Sequence, residues 1–184
     1  MQEVSKGRTV SDASRRRLDI VVPLVPPSEN KIRTITRAVM RGKLMVKPPM
    51  IIYTKDAHVF EELFKAYIQE HYWKECQVFS KGHTIYSAYV LTLRVYFETL
   101  VNKSWLLEGK NKAQTPYKKL DAPNRDKLIV DCFSAFLGID DSLAMRAVFE
   151  KHMDPSFQGV EMSLVEVDPR EFGIPEIFTR DTHE

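Results

Sequence analysis

The stretch "HTIYSAYVLTLRVYFETLVNKSWLLEG", His83 to Gly109, constrains the fold more than any other part of the chain. Read as a strand, it places Ile85, Ser87, Tyr89, Leu91, Leu93 and Val95 on one side, and its Tyr, Val and Thr content favours a sheet. Read as a helix, it aligns Tyr86, Val90, Leu93, Phe97, Leu100 and Val101 and runs on smoothly to Trp105. Strands are usually far shorter, so the length favours the helix, with a strand followed by a helix as the alternative. Arg94, Glu98, Asn102 and Lys103 interrupt the apolar run, which leaves it short of the roughly 20 residues that a membrane-spanning helix needs.

Neighbouring segments point towards helices as well. Asp56 is placed to cap a helix whose stripe is Phe60, Leu63, Phe64, Tyr67, Ile68, His71, Tyr72 and Phe79, ending at Ser80-Lys81-Gly82. Asp121 and Pro123 open another, with Leu128, Ile129, Cys132, Phe133 and Phe136 inward and Gly138 as its stop. Asp140 or Asp141 caps a third, with Leu143, Val148, Phe149 and His152 or Met153 inward, ended by Asp154-Pro155. The last two predict a helical hairpin over 122–153.

Extended segments flank this core. Leu18, Ile20, Val22 and Leu24 alternate with their neighbours as in a strand, and Pro23 confines it to an edge. "SENKIRTITRAVMRGK" sorts best as a helix capped by Ser28 and stopped by Gly42. In that form Arg33, Arg37 and Arg41 make one stripe, and Ile32, Ile35 and Val39 the opposing edge. "KLMVKPPMIIYT" reads as two short extended pieces, and 160–167 as a further strand. The expected fold is α+β, mainly helical: a single domain with a helical core of about 56–153 between extended N- and C-terminal segments. Its organisation is a flexible basic arm at 1–17, a globular domain at 18–168 and an acidic polar tail at 169–184.

Charge is distributed unevenly. Residues 1–47 carry a formal charge of +7, residues 48–139 +2, and residues 140–184 −7. A basic end of this kind meets an acidic partner, or the acidic end of a neighbouring copy. Arg15, Arg16 and Arg17, the Arg33/Arg37/Arg41 stripe, and Lys43 and Lys47 are the candidate partner-binding residues. Arginine offers planar, multi-donor contacts to phosphate, so nucleic acid and an anionic membrane surface are the partner classes considered. The competing reading is a solvated arm and a solvated helix face. Ser11 and Ser14 precede the triplet, where phosphorylation would weaken contact with an acidic partner.

Catalytic patterns are weak. Cys76 lies near His71 and His83, which is the raw material of a thiol nucleophile and its base. On one helix, however, His71 and Cys76 diverge by about 140°. His58/Glu62 and His71/Glu75 have i, i+4 spacing but no third or fourth ligand motif, and the seven glycines are scattered singly, without a phosphate loop. No metal and no cofactor is expected. The N-terminus lacks the apolar centre of a secretory signal and the two cysteines make no disulfide framework, which points to a cytoplasmic or nuclear compartment.

The order of a basic arm, the proline-rich "VPLVPPSEN", "GKLMVKPP" and an amphipathic helix resembles small viral matrix proteins of the rhabdovirus type over the first half of the chain. That resemblance implies a virion or membrane-associated assembly role, and the helical hairpin expected at 122–153 departs from the strand-rich second half of that family. The leading expectation is a non-enzymatic interaction or assembly protein that uses its basic N-terminal third to bind an acidic partner and forms homo-oligomers through its basic and acidic ends. The alternatives are a matrix-like viral structural protein and an enzyme with a site around His71, Cys76 and His83.

Overall fold

The computed structural model describes residues 15–28, 31–36, 38–41, 44–47, 50–84, 86–101 and 122–175. The deciding apolar run is a strand, not a helix. Ala88–Phe97 forms β6, the centre of a four-stranded mixed sheet. Leu91, Leu93 and Val95 face the core, while Thr92, Arg94 and Tyr96 are half-buried on the opposite side. The length argument failed because it joined residues beyond Phe97 to the same element, whereas 98–101 are not helical.

Three further strands complete this sheet. Arg17–Val22 (β1) pairs antiparallel with Gly159–Val167 (β8), β8 pairs antiparallel with β6, and β6 pairs in parallel with Ala144–Met153 (β7). The order is β1-β8-β6-β7. Parallel neighbours require a crossover, and the helix Ala122–Leu137 (α3) lies on the path between them. The expected helical hairpin is therefore overturned in its second half. Asp140 does cap a turn, its carboxylate accepting from the Ser142 N–H at 2.8 Å, but that turn is a single 3-10 turn, Asp141–Leu143, and the chain then extends. Most residues of "AMRAVFEKHM" are good helix formers, Val148, Phe149 and His152 excepted. Pairing with β6 overrides their preference.

The strand at 160–167 and the helix at 122–137 fall where periodicity placed them; the strand begun at Leu18 ends at Val22 short of Leu24, and the single helix expected from Asp56 to Gly82 is broken into two. Lys55–His71 (α1) and Trp73–Lys81 (α2) meet at Tyr72, and α1 is capped by Thr54 rather than Asp56. The stop expected at Gly138 is present, with φ of 67° in the left-handed region that favours glycine. Phe60, Phe64 and Ile68 of α1, Phe79 of α2, and Leu128, Ile129, Cys132 and Phe133 of α3 pack on Leu18, Ile20, Val22, Leu93, Val95, Val160 and Met162. One face of the sheet thus meets the helices, and the other carries the half-buried polar side chains.

The expected helix at 28–42 is also absent. Arg33–Ile35 (β2) pairs with Ile51–Tyr53 (β5), and Val39–Arg41 (β3) with Leu44–Lys47 (β4), both antiparallel. The two pairs continue each other. Arg33 opposite Tyr53, Ile35 opposite Ile51 and Val39 opposite Lys47 keep one register, and the register shifts between Val39 and Met40. The described residues of 33–53 therefore follow one two-stranded ribbon, with the Thr36 N–H donating to the Met50 carbonyl at 2.8 Å between the two pairs. Helical spacing separated charge from apolar groups, but the dense β-branched content and a complementary strand just along the chain favoured the ribbon. With substantial sheet beside three helices, the fold is α+β but not mainly helical.

Candidate interaction surface

The arginine triplet sits at the start of β1, beside the C-terminal part of the chain. Arg16 donates through Nε to Glu166 at 2.6 Å and through Nη1 to the Phe79 carbonyl at 2.7 Å, and its guanidinium lies over the Phe79 ring. Glu166 also accepts from the Ser87 hydroxyl at 2.8 Å. Burial pushes the Glu166 carboxyl up, but the hydrogen bonds from Arg16 and Ser87 outweigh it and hold the group below the usual carboxylate range. The Glu166 hydrogen bond, working against burial, raises Arg16. Gly82 leaves the room this needs: a Cβ there would collide with the Arg16 guanidinium.

Arg15 pairs with Glu171 at 2.7 Å and Arg17 with Asp19 at 2.6 Å. The basic and acidic ends of the chain therefore meet within one molecule, through Arg15–Glu171 and Arg16–Glu166. An open groove of about 540 Å³ beside the triplet is lined by Arg16, Arg17, Leu18, Asp19, Lys74, Glu75, Val78 and Phe79. Its charges are mixed.

The second basic cluster is not a helical stripe. Arg33 lies at the base of the ribbon with its guanidinium over the Tyr53 ring, and Lys47 is exposed on β4. Arg41 is in β3, while Arg37, Lys43 and the side chain of Arg41 lie outside the described residues. The base is well anchored. Tyr53 donates its hydroxyl to Asp131 of α3 at 2.9 Å, the Thr54 N–H donates to the Ile32 carbonyl at 2.9 Å, and Ile32 is fully buried. Beyond the base the apolar side chains face solvent: Ile35 is 70% exposed and Ile51 67%, and Val39, Met45, Val46, Met50 and Ile52 are exposed too. From Arg33 to Tyr53 the sequence holds five Lys/Arg and no Asp or Glu.

The thiols have a different setting. Cys76 and Cys132 are buried and free, and burial first, then Glu75, pushes Cys76 up to about 11. Burial likewise pushes Cys132 up to about 12. Both stay protonated at neutral pH, when a nucleophile would need the thiolate. His83 Nδ1 is 2.9 Å from the Tyr89 hydroxyl, and His71 packs against Tyr67. Among the described residues, no group of three His, Cys, Asp or Glu side chains is placed to hold a metal ion.

One cluster escaped sequence reasoning. On the sheet face away from the helices, Arg94 of β6 donates to Glu150 of β7 at 2.6 Å and to Glu161 of β8 at 3.1 Å. Tyr96 donates to Glu161 at 2.7 Å and stacks on His152. Only the strand register brings these residues together, so no spacing along the chain signals them. No family model matches the chain, and no curated protein matches it. Among the described residues, no helix is long and apolar enough to cross a membrane.

Proposed function

We propose that the chain is a non-enzymatic assembly protein whose basic N-terminal third docks on an anionic membrane surface through the 33–53 ribbon. The observation that carries this is the row of exposed apolar side chains on strands whose sequence, from Arg33 to Tyr53, holds five cations and no carboxylate. Apolar groups entering the headgroup boundary and cations held above it are the two components of interfacial binding, and each Lys or Arg near an anionic leaflet is worth about 1 kcal/mol. Nucleic acid would use the cations but give Ile35, Ile51 and Met50 no role. A matrix-like viral role is the alternative; one strand, Ala144–Met153, replaces the second helix of the hairpin that set the chain apart from that family, while the helix Ala122–Leu137 remains.

The test is co-sedimentation of the full chain with vesicles of phosphatidylcholine alone and with added phosphatidylserine, alongside a random oligonucleotide. Binding is expected only to the anionic vesicles, weakening with salt, and Ile35→Asp with Ile51→Asp should abolish it without changing the melting temperature. Vesicle binding that survives this double substitution, or salt-sensitive binding to the oligonucleotide alone, overturns the membrane reading.

A further inference from the structure

The ribbon leaves a second exposed apolar region unexplained. β7 is a ten-residue edge strand without Pro or Gly, and Phe149 (46%) and Met153 (55%) are exposed on it. Long edges with apolar side chains are templates for another strand, and charged side chains normally guard them. Here Arg146, Glu150 and Lys151 hold that position, yet their order is self-complementary.

We propose that β7 is a homodimer edge: two copies pair their β7 strands antiparallel about a two-fold axis through Val148, making one continuous eight-stranded sheet. In this register residue numbers across the pair sum to a constant, so Arg146 faces the second copy's Glu150 twice, Val148 faces Val148, and Ala147 faces Phe149, small against large. From Arg146 to His152 the even-numbered residues lie on the Arg94 face in both copies, which keeps both sets of helices on the other side. Neighbouring registers are worse. Centring on Ala147 sets Arg146 against Val148, centring on Phe149 sets it against His152, and centring on Glu150 opposes two carboxylates.

The charges within one copy favour the same register. Arg94 serves two carboxylates, Glu150 and Glu161, while Arg146 makes no ion pair among the described residues. Glu150 shares Arg94 with Glu161 and has His152 Nε2 at 3.1 Å; the second copy's Arg146 adds a further cation beside it, and a two-fold operation supplies it twice.

The experiment is sedimentation equilibrium of the full chain, without vesicles, so that its outcome is separate from membrane docking. The wild type is expected to be a reversible dimer. Arg146→Glu alone sets like charges opposite each other twice and should weaken dimerisation by about tenfold or more, as should Glu150→Arg alone. An equimolar mixture of the two variants should restore the dimer, because every pair is then opposite in sign. That rescue also shows that both variants fold. Val148→Cys should cross-link to itself on oxidation and Ala147→Cys should not, the native thiols being buried. A wild type that stays monomeric, a mixture no tighter than its components, or a cross-link at 147 but not 148 overturns the proposal.

Discussion

At one edge of the four-stranded sheet, β1 turns Leu18, Ile20 and Val22 into the core, and the Tyr72 hydroxyl lies 3.3 Å from both the N–H and the carbonyl of Val21. At the other edge, β7 is exposed along almost its whole length and gives no residue to the buried core. β1 is short, is followed by Pro23, and has a side chain bonded to its outward backbone. These features close an edge to further pairing. β7 has only β6 beside it in the sheet, so its place in the fold rests chiefly on backbone pairing and the Arg94 network, with Ala144 packed at the core's margin and Lys151 facing Asp126 of α3. An edge can therefore be a structural wall or an open seam within one sheet, and burial distinguishes the two more sharply than strand length.

Truncation tests this contrast most directly. Ile20→Ala in β1 should cost about 2–5 kcal/mol in a denaturant melt, because it empties a fully buried site. Phe149→Ala in β7, measured dilute, should change stability by less than about 0.5 kcal/mol, as expected at an exposed position. Equal losses would show that β7 is as integral as β1.

Acid titration sharpens the same comparison on the β7 side. Asp126 of α3 is buried, and burial pushes its carboxyl up to about 6 against the opposing pull of Lys151 on β7 and Arg125. The unfolded chain ionises first, at about 3.9, so the folded state binds more protons between about pH 4 and 6 and stability falls as pH rises through that window, by up to about 3 kcal/mol. Asp126→Asn should abolish that fall. An unchanged pH slope in the variant would remove Asp126 as its source.

The contrast between the edges also marks what the sequence made legible. In β1, Leu18, Ile20 and Val22 alternate with exposed residues, and α1 and α3 repeat Phe60/Phe64/Ile68 and Leu128/Cys132 at helical spacing, because each element buries one side. β7 gives the core little beyond Ala144, so burial imposed no alternation on Ala144 to Met153, and the helical spacing of Leu143, Val148, Phe149 and Met153 reflected no buried face. β6 was ambiguous for the opposite reason: its half-buried outer face blurred the alternation. In the ribbon no core imposed a period, and the real constraint was the partner strand across Gly42-Lys43. Of the candidate contact residues, Arg15–Arg17 and Arg33 are identifiable as basic. That Arg16 would be taken up by Glu166 and Phe79 depends on contacts 150 and 63 residues away along the chain.

Within the triplet the expected effects are smaller and unequal. Arg16→Ala should cost about 2 kcal/mol, since it leaves Glu166 part-buried without its charged partner. Arg17→Ala, at an exposed pair, should stay within about 0.5 kcal/mol. Because Glu166 is depressed in the folded state, the Arg16 contribution is present above its unfolded value of about 4.3 and is lost as pH falls through the folded value. A loss for Arg16→Ala that persists undiminished in strong acid would assign it to packing on Phe79 instead.

The finest test concerns the closure of β1 itself. Tyr72 sits at the junction of α1 and α2, where its hydroxyl bridges the outward N–H and carbonyl of Val21. Both contacts are long, so Tyr72→Phe should cost only about 0.5–1 kcal/mol globally. Its local effect is the informative one. Amide exchange at Val21 should quicken while the Ile20 and Val22 amides remain slow, because the change removes the cap and leaves the pairing with β8 intact. Equal acceleration at all three would mean that the hydroxyl holds the strand to the sheet rather than closing its edge, and the contrast with β7 would then lie in burial alone.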